Sequence, residues 1–321
     1  MSRFYAILFL VVVIAFGVYE WEDANFVVAG PARRETVVLI PTGAGVSGIA
    51  AKLEEAGVIR DATLFAWGVR LRREASKLKA GEYAIPPFAS MADIAALLIS
   101  GKSIQHKLTA AEGLTSQMIY ALVAGDTELA GNAGEVPPEG SLLPETYLFT
   151  HGTTRADIVA RMHRAQEKFL AGAWKLRVPG LPVSTPEQAV ILASIVEKET
   201  AIPEERRHIA AVFVNRLKRG MKLQSDPTII YGLTRGYPLG RPIRESDIAG
   251  LTPYNTYAIA GLPPTPICNP GKDSILAVLA PEASNDLYFV ADGSGGHVFS
   301  DNIADHLRNV ARWRKFEGAH N

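Results

Sequence analysis

Cysteine is almost absent from this sequence of 321 residues, and Cys268 is the single one. One cysteine excludes an internal disulfide framework and any zinc site built from cysteine ligands. The seven histidines show no H-x-x-x-H or H-x-H spacing, so we expect neither a metal nor another cofactor, although distant ligands could still converge. Lys+Arg and Asp+Glu are equal at 33 each. A neutral chain is a poor candidate for nucleic-acid binding, which needs a concentrated basic surface.

Familiar enzyme motifs are also missing. Walker A and G-x-S-x-G are absent, and the S-x-x-K match at residues 76–79 lacks the accompanying S-D-N or K-T-G. Residues 43–48 do follow the G-x-G-x-x-G pattern of dinucleotide-binding folds, with Asp61 near the distance of a ribose contact. Asp61 precedes a helical pattern instead of ending a second apolar strand, so turn glycines in a small module are the favoured interpretation.

An uncharged apolar run covers residues 4–19. As a helix it spans about 24 Å, slightly less than the roughly 30 Å hydrocarbon core of a bilayer, and Trp21 follows it as an interfacial aromatic. Arg3 precedes the run, whereas three acidic residues follow it between positions 20 and 23. This asymmetry predicts a single-pass inner-membrane anchor with the N-terminus in the cytoplasm and the body in the periplasm. A cleaved signal peptide is the alternative, but no A-x-A-like site ends the run.

The length predicts about two domains after this anchor. We expect a cytoplasmic tip and anchor over 1–23 and a linker over 24–35. Short strand-turn-helix units then repeat, with strands at 36–40 and 81–85, helices at 46–57 and 91–99, and a third copy over 107–123. This pattern predicts a small α+β module over 36–105 that resembles the LysM class of glycan binders.

Residues 106–321 predict a larger mixed α/β catalytic domain, so the fold class is α+β. Helical patterns cover 155–170, 185–200, 203–220, 272–279 and 301–315, and strand patterns cover 287–290 and 297–300. A loop rich in glycine, proline and glutamate lies at 130–140. Residues 221–270 are polar and rich in turn-forming residues, and we expect them to form loops.

The sharpest chemical feature is a pair of glutamates at the end of an apolar helix, Glu197 and Glu199. Glu199 has Leu192, Ile195 and Val196 beneath it at i−7, i−4 and i−3, whereas Glu197 follows mostly small residues. Burial and the negative end of the helix dipole both raise a carboxyl pKa, and a protonated carboxyl is what a general acid requires. A capping or salt-bridging glutamate is the alternative.

The two glutamates point about 200° apart around the helix, so they cannot face each other as a carboxylate pair. A two-carboxylate glycosidase would need a partner from elsewhere, such as Asp226 or Glu145. Amide, hydroxyl and aromatic side chains are dense in the loops at 223–228, 252–257 and 261–267. Such a lining suits a sugar, which has hydroxyl edges and apolar faces, although turn formation also explains the prolines.

Several long motifs resemble the YceG-like, endolytic murein transglycosylase family: ASIVEKET at 193–200, VFVNRL at 212–217, LQSDPTIIYG at 223–232, YNTY at 254–257, GLPP at 261–264 and YFVADG at 288–293. The resemblance covers nearly the whole chain, including the anchor and the LysM-like module. Ser141 departs from the family, which usually has a bulky aromatic at that position.

The resemblance implies a lyase that cleaves the MurNAc–GlcNAc β-1,4 bond of nascent peptidoglycan, leaves 1,6-anhydro-MurNAc ends and so terminates strand elongation. It assigns the catalytic role to Glu199, and we expect Glu197 and Thr200 to support the structure. Our candidates for positioning the glycan are Gln224, Asp226, Tyr254, Asn255 and Tyr257. Peptidoglycan strands, the membrane and peptidoglycan synthases are the implied partners. A hydrolytic muramidase and an inactive peptidoglycan-binding scaffold are the alternatives.

Overall fold

The computed structural model describes residues 2–320. The α-amino group of Met1 and the side chain of Arg3, which enter the topology prediction, lie outside this described part. The chain divides into two compact units, which are made of helices and small two-stranded sheets. The first unit comprises Met1–Lys107 and Leu148–Gly152, and the second comprises Leu108–Tyr147 and Thr153–Asn321.

The first unit contains four helices and a two-stranded sheet within its described residues. They are α1 (Ser2–Val27), β1 (Thr36–Ile40), α2 (Val46–Glu55), α3 (Ala62–Leu71), β2 (Gly81–Ile85) and α4 (Met91–Ser100). Strands β1 and β2 pair antiparallel, with Thr36 opposite Ile85 and Ile40 opposite Gly81. Their inward side chains meet the helices in a buried core formed chiefly by Phe26, Ile40, Leu53, Phe65, Tyr83, Ile85, Ile94 and Leu98.

Local signals in the sequence set the ends of these helices. Ser90 and Asp93 form a capping box at the start of α4, which satisfies backbone N–H groups that would otherwise lack partners. Gly101 ends the same helix in a left-handed conformation with φ 72°. Asp61 accepts a hydrogen bond from the Leu64 N–H and so caps α3. The antiparallel sheet and this cap rule out the parallel βαβ unit that a dinucleotide site would need.

The linker predicted at 24–35 begins later than expected, because α1 continues to Val27. Phe26 is buried in the core of the first unit, and this packing extends the helix beyond the apolar run. Residues Phe4–Val27 form a helix long and apolar enough to cross a membrane.

The second unit is larger and mainly helical. Its elements are β3 (His106–Thr109), α5 (Ser116–Gly125), β4 (Thr146–Phe149), α6 (Arg155–Lys175), α7 (Pro186–Glu199), α8 (Arg206–Lys218), α9 (Asp226–Thr234), α10 (Glu245–Ala249), α11 (Lys272–Leu279), β5 (Tyr288–Ala291), β6 (His297–Ser300) and α12 (Ile303–His320). Strands β3 and β4 each start in one unit and end in the other. Helix α7 lies in the core, in contact with α8 and α11.

The expectation that residues 221–270 form loops is wrong in part, because α9 and α10 lie there. Asp226 and Pro227 occupy the first turn of α9, where an acidic residue and a proline both favour helix initiation. A helix as short as α9 shows little periodicity, so the sequence pattern indicates only a turn at these residues. The mixture of helices and sheets otherwise agrees with the predicted α+β class.

Candidate active site

Helix α7 carries both glutamates near its C-terminal end. Thr185 caps its N-terminus by accepting a hydrogen bond from the Gln188 N–H, and Pro186 occupies its first turn. The helix ends at Glu199, where Thr200 becomes extended and its hydroxyl accepts a hydrogen bond of 2.9 Å from the Ile202 N–H. Thr200 therefore stabilises the exit of the chain from the helix that carries Glu199.

Glu199 lies against the apolar side chains expected from the sequence. Leu192, Ile195 and Val196 are fully buried, and burial raises the pKa of Glu199 to about 7. The Ser225 hydroxyl donates a hydrogen bond of 2.5 Å to Oε1 of Glu199, which lowers the pKa, and the charge of Asp226 raises it. Since burial has the largest effect, Glu199 keeps its proton to a higher pH than an exposed glutamate does.

Glu197 points to a different part of the second unit. Its Oε2 accepts a hydrogen bond of 2.9 Å from the Gly271 N–H, at the N-terminus of α11. This contact fixes the start of α11 relative to the end of α7. The two glutamates thus have separate surroundings, and Glu199 is the one that reaches a cavity.

The cavity has a volume of about 570 Å³ and lies entirely within the second unit. Its lining comes from α7, α8, the loop before α9, the first turn of α9, the segment after α10, β5 and α12. The lining residues are Glu199, Arg216, Gln224, Asp226, Tyr257, Tyr288, Phe289, Val290, Ile303, His306, Leu307 and Val310. Carboxyl, amide and phenol groups therefore face an apolar wall, a combination that suits a sugar ring.

Three of the five residues predicted to position a glycan line this cavity together with Glu199. The Tyr257 hydroxyl donates a hydrogen bond of 2.7 Å to Oδ1 of Asp226, and burial raises the pKa of Tyr257. Gln224 has a left-handed backbone with φ 51°, a conformation that costs free energy in a residue other than glycine. Such strain is concentrated at functional sites in proteins.

Tyr254 and Asn255, the other two residues predicted to position the glycan, do not line this cavity. Asn255 is 1% exposed, and its side-chain amide donates to the carbonyls of Asp247, Ile248 and Gly250. Its amide group is therefore used to hold α10 and the following turn in place. The ring of Tyr254 packs edge-on against Tyr231 at 4.8 Å, away from the lining of the cavity around Glu199.

The two carboxylates considered as partners for Glu199 also separate. Glu145 forms an ion pair with Lys272, at the start of α11. Asp226 lines the same cavity as Glu199. Asp226 is therefore the second carboxylate of the site among the described residues of the cavity.

Sequence reasoning missed two polar residues that organise the site. Arg216 is buried, and its guanidinium donates to the carbonyls of Leu287 at 2.6 Å and Leu223 at 2.7 Å. Burial lowers the pKa of Arg216, whose positive charge in turn lowers the pKa of Glu199. These bonds tie α8 to the segments before α9 and before β5, from which other lining residues come.

Ser225 is the second missed residue. Its N–H donates to the Thr256 hydroxyl at 2.9 Å, and that hydroxyl also lies 2.9 Å from the hydroxyl of Thr228. These buried bonds aim the Ser225 hydroxyl at Glu199. Ser225 lies between Gln224 and Asp226 in the sequence. Because both neighbours are candidates for positioning the glycan, this location could have indicated that Ser225 also belongs to the site.

Helix α12 supplies a wall that sequence reasoning also missed. Ile303, Leu307 and Val310 recur at helical spacing and line the cavity with His306. The imidazole of His306 stacks on the Tyr288 ring at 5.0 Å, and burial and the charge of Arg216 lower its pKa. The sequence pattern predicts a helix over 301–315 but does not indicate that one face of it lines a site.

Comparisons with known proteins place this site in a family. A model of the YceG-like family matches residues 38–312. The chain belongs to the YceG-like family. The predicted resemblance is therefore confirmed, and Glu199 and the lining residues of the cavity up to Val310 all fall within the matched region.

Relatives of the YceG-like chain carry informative names. A protein of Streptococcus pneumoniae named endolytic murein transglycosylase is 29% identical over 357 residues, which cover 95% of this chain and 64% of that protein. One of Bacillus subtilis with the same name is 30% identical over 298 residues, covering 83% of this chain and 81% of its own length. The chain thus spans just under two thirds of the pneumococcal relative.

A solved structure supports the fold. The crystal structure of a yceG-like protein from Listeria monocytogenes has a TM-score of 0.52 and 29% sequence identity, and the match covers 86% of this chain and 99% of that one. The arrangement of helices and sheets described above is therefore similar to that of another YceG-like protein.

Proposed function

We propose that this protein is an endolytic murein transglycosylase that cleaves the MurNAc–GlcNAc β-1,4 bond within nascent peptidoglycan strands. The observation that carries the proposal is Glu199, a half-buried carboxyl with a pKa of about 7, at a cavity of about 570 Å³. The names of the pneumococcal and Bacillus subtilis relatives give the substrate class.

Glu199 performs both proton transfers in this mechanism. The protonated carboxyl gives its proton to the glycosidic oxygen as the bond from that oxygen to C1 of MurNAc breaks. The resulting carboxylate then takes the proton of the MurNAc C6 hydroxyl while that oxygen attacks C1. The product is a 1,6-anhydro-MurNAc end, and strand elongation terminates there. A pKa near the working pH lets one group act first as acid and then as base.

The surrounding residues position this carboxyl and the sugar. Ser225 orients the Glu199 carboxyl through its hydrogen bond. Gln224, Asp226 and Tyr257 offer amide, carboxylate and phenol groups to sugar hydroxyls from the same cavity. The hydrogen bond from the Tyr257 hydroxyl fixes the orientation of the Asp226 carboxylate.

A hydrolytic muramidase is the second candidate, because Asp226 is a second carboxylate in the cavity and could activate a water. Mass analysis of the released muropeptides separates the two reactions. Anhydro ends support the transglycosylase, whereas reducing ends support hydrolysis. The absence of any cleavage by the folded protein would leave a peptidoglycan-binding scaffold.

The decisive variant is Glu199→Gln, with Glu197→Gln as its matched control. Glu199→Gln keeps the shape of the side chain and removes the transferable proton, so turnover should fall by about 10² to 10⁴. Glu197→Gln keeps an oxygen that accepts from the Gly271 N–H and should retain measurable activity. If the control is folded and inactive while Glu199→Gln cleaves, the assignment is reversed.

We further propose that α1 is an uncleaved inner-membrane anchor and that the chain after it lies in the periplasm, beside the peptidoglycan synthases. The length and apolar character of Phe4–Val27 support the anchor. A reporter fused after residue 321 should be active only outside the cytoplasm, and cytoplasmic activity would overturn this topology.

The first unit is proposed to bind glycan as a LysM-like module. The order of β1, α2, α3 and β2, with the two strands antiparallel, supports the resemblance. Binding of the full chain to sacculi, compared before and after substitutions on the exposed face of this unit, tests the role. Unchanged binding would show that the unit only positions the enzyme.

A further inference from the structure

The last turns of α1 are packed against α3 within the first unit. The Phe26 and Phe65 rings stack at 6.1 Å. The Arg72 guanidinium lies 4.0 Å from the centre of the Phe26 ring, donates to Glu22 at 2.9 Å and forms an ion pair with Asp23. The apolar helix is therefore joined to the folded unit through side-chain packing.

Gly68 allows this close approach of the two helices. A Cβ atom at this position would collide with the Phe26 ring and with the carboxylate of Glu22. Phe65 meets Phe26 while Arg72 meets Glu22 and Asp23, so α3 runs antiparallel to α1. The C-terminal end of α3 consequently lies beside the apolar run of α1.

A groove of about 530 Å³ lies between the two helices at this end, lined by Ala15, Val18, Tyr19, Glu22, Trp67, Arg70 and Leu71. Trp67 is 63% exposed and Leu71 is 54% exposed. Large apolar side chains that are exposed next to each other on a folded unit mark a surface that contacts another protein or a membrane.

The position of this groove along α1 favours a membrane as the contacting surface. The uncharged run over residues 4–19 spans about 24 Å, so its end lies close to the surface of a roughly 30 Å hydrocarbon core. Trp67 and Leu71 flank Ala15, Val18 and Tyr19, which form the end of this run. They therefore lie at the depth where a bilayer meets water.

The chemistry of the α3 surface fits that depth. Tryptophan and tyrosine favour the interface between lipid tails and headgroups, where Trp67 joins Tyr19 and Trp21. Arg70 and Arg73 are exposed at the same end of α3. Their guanidinium groups suit the phosphates of anionic headgroups.

We propose that Trp67, Leu71, Arg70 and Arg73 form a lipid-contacting surface, which places the first unit directly on the bilayer that α1 spans. The proposal rests on the proposed membrane anchor and adds a second contact with the membrane. The first unit is then held at the membrane surface, where newly made glycan strands emerge.

Depth-dependent quenching tests the proposal on the full chain reconstituted in vesicles of phosphatidylcholine and phosphatidylglycerol. A fluorescent probe is attached to cysteine in the variants Trp67→Cys, Val11→Cys and Phe88→Cys, one at a time. Cys268 is buried, so labelling is selective for the introduced thiol. Val11 and Phe88 are 56% and 55% exposed, which matches them to Trp67.

The three probes have different expected responses to lipids that carry a nitroxide. The probe at 67 should be quenched most by a nitroxide near the headgroups, and the probe at 11 most by a nitroxide deep in the tails. The probe at 88 should respond to neither, because Phe88 lies near Gly30, beyond the end of α1. This pattern supports the lipid contact.

Two results would overturn the lipid contact while leaving the anchor in place. One is a quenched probe at 11 with a probe at 67 that is as insensitive to lipid as the probe at 88. The other is a probe at 67 shielded from both lipid nitroxide and aqueous iodide, which would show that a second copy of the chain covers the groove. An unquenched probe at 11 would overturn the anchor and the contact together. The cleavage assay with Glu199→Gln is independent of all three outcomes.

Discussion

Replacing Glu199 with glutamine should stabilise the second unit in a pH-dependent manner. The folded protein holds the Glu199 proton up to a pKa of about 7, whereas the ordinary value is 4.5. Below both values the carboxyl is protonated in the folded and unfolded states, so it costs nothing. As the pH rises between them, the unfolded state releases its proton first, and the free energy of unfolding falls.

The size of this effect follows from the two pKa values. A shift of this extent corresponds to about 3 kcal/mol, and the opening of the cavity to water reduces it, so we expect about 2 kcal/mol. The glutamine in Glu199→Gln cannot ionise, so the variant avoids this loss of free energy of unfolding. The variant should therefore match the wild type below pH 4.5 and exceed it by about 2 kcal/mol at about pH 8.

Denaturant unfolding of the full chain in mild detergent, across this pH range, measures the difference. Glu197→Gln is the control, because it makes the same chemical change two residues away, outside the cavity. A stability gain for Glu199→Gln that is constant with pH would refute the reasoning. An equal pH-dependent gain in the control would show that burial of Glu199 is not its cause.

Three further substitutions probe the residues around Glu199. Ser225→Ala removes a hydrogen bond that lowers the Glu199 pKa, so the alkaline limb of kcat/KM should move up by about one pH unit; an unmoved limb would contradict this role. Asn255→Ala removes the donor for three carbonyls and should lower the free energy of unfolding by about 3 kcal/mol; a fully stable but inactive variant would restore its predicted role in glycan binding. A lysine at position 216 cannot donate to the carbonyls of Leu287 and Leu223 at the same time, as the Arg216 guanidinium does. Arg216→Lys should therefore lower the free energy of unfolding by about 2 kcal/mol, as measured by denaturant unfolding.

Local patterns in the sequence were sufficient to place α7 and to choose between its two glutamates. A Thr-Pro-Glu start and a continuous apolar stretch specify a buried helix without reference to the rest of the chain. The bulky residues one and two turns before Glu199 then identify its environment. The structure retains that environment, because the same side chains pack into the core of the second unit.

The partners of Glu199 could not be found in the same way. Ser225 lies 26 residues further along the chain, and its orientation depends on Thr256 and Thr228. Loop composition was misleading for Asn255, because a side-chain amide suits a sugar and a turn carbonyl equally well. Which of these it binds depends on how the loop closes, and that is a property of the tertiary structure.

The short segment Leu148–Gly152, which belongs to the first unit, limits how this protein can be dissected. Phe149 is buried, and its ring lies 5.7 Å from that of His106. A fragment beginning at residue 108 would keep this returning pentapeptide while removing the rest of its unit, including His106. Phe149 would then lose its contact with the His106 ring, and newly exposed apolar surface promotes aggregation. Loss of activity in such a fragment would therefore not distinguish a missing function from misfolding, and the contributions of the two units are better separated by point substitutions in the intact chain.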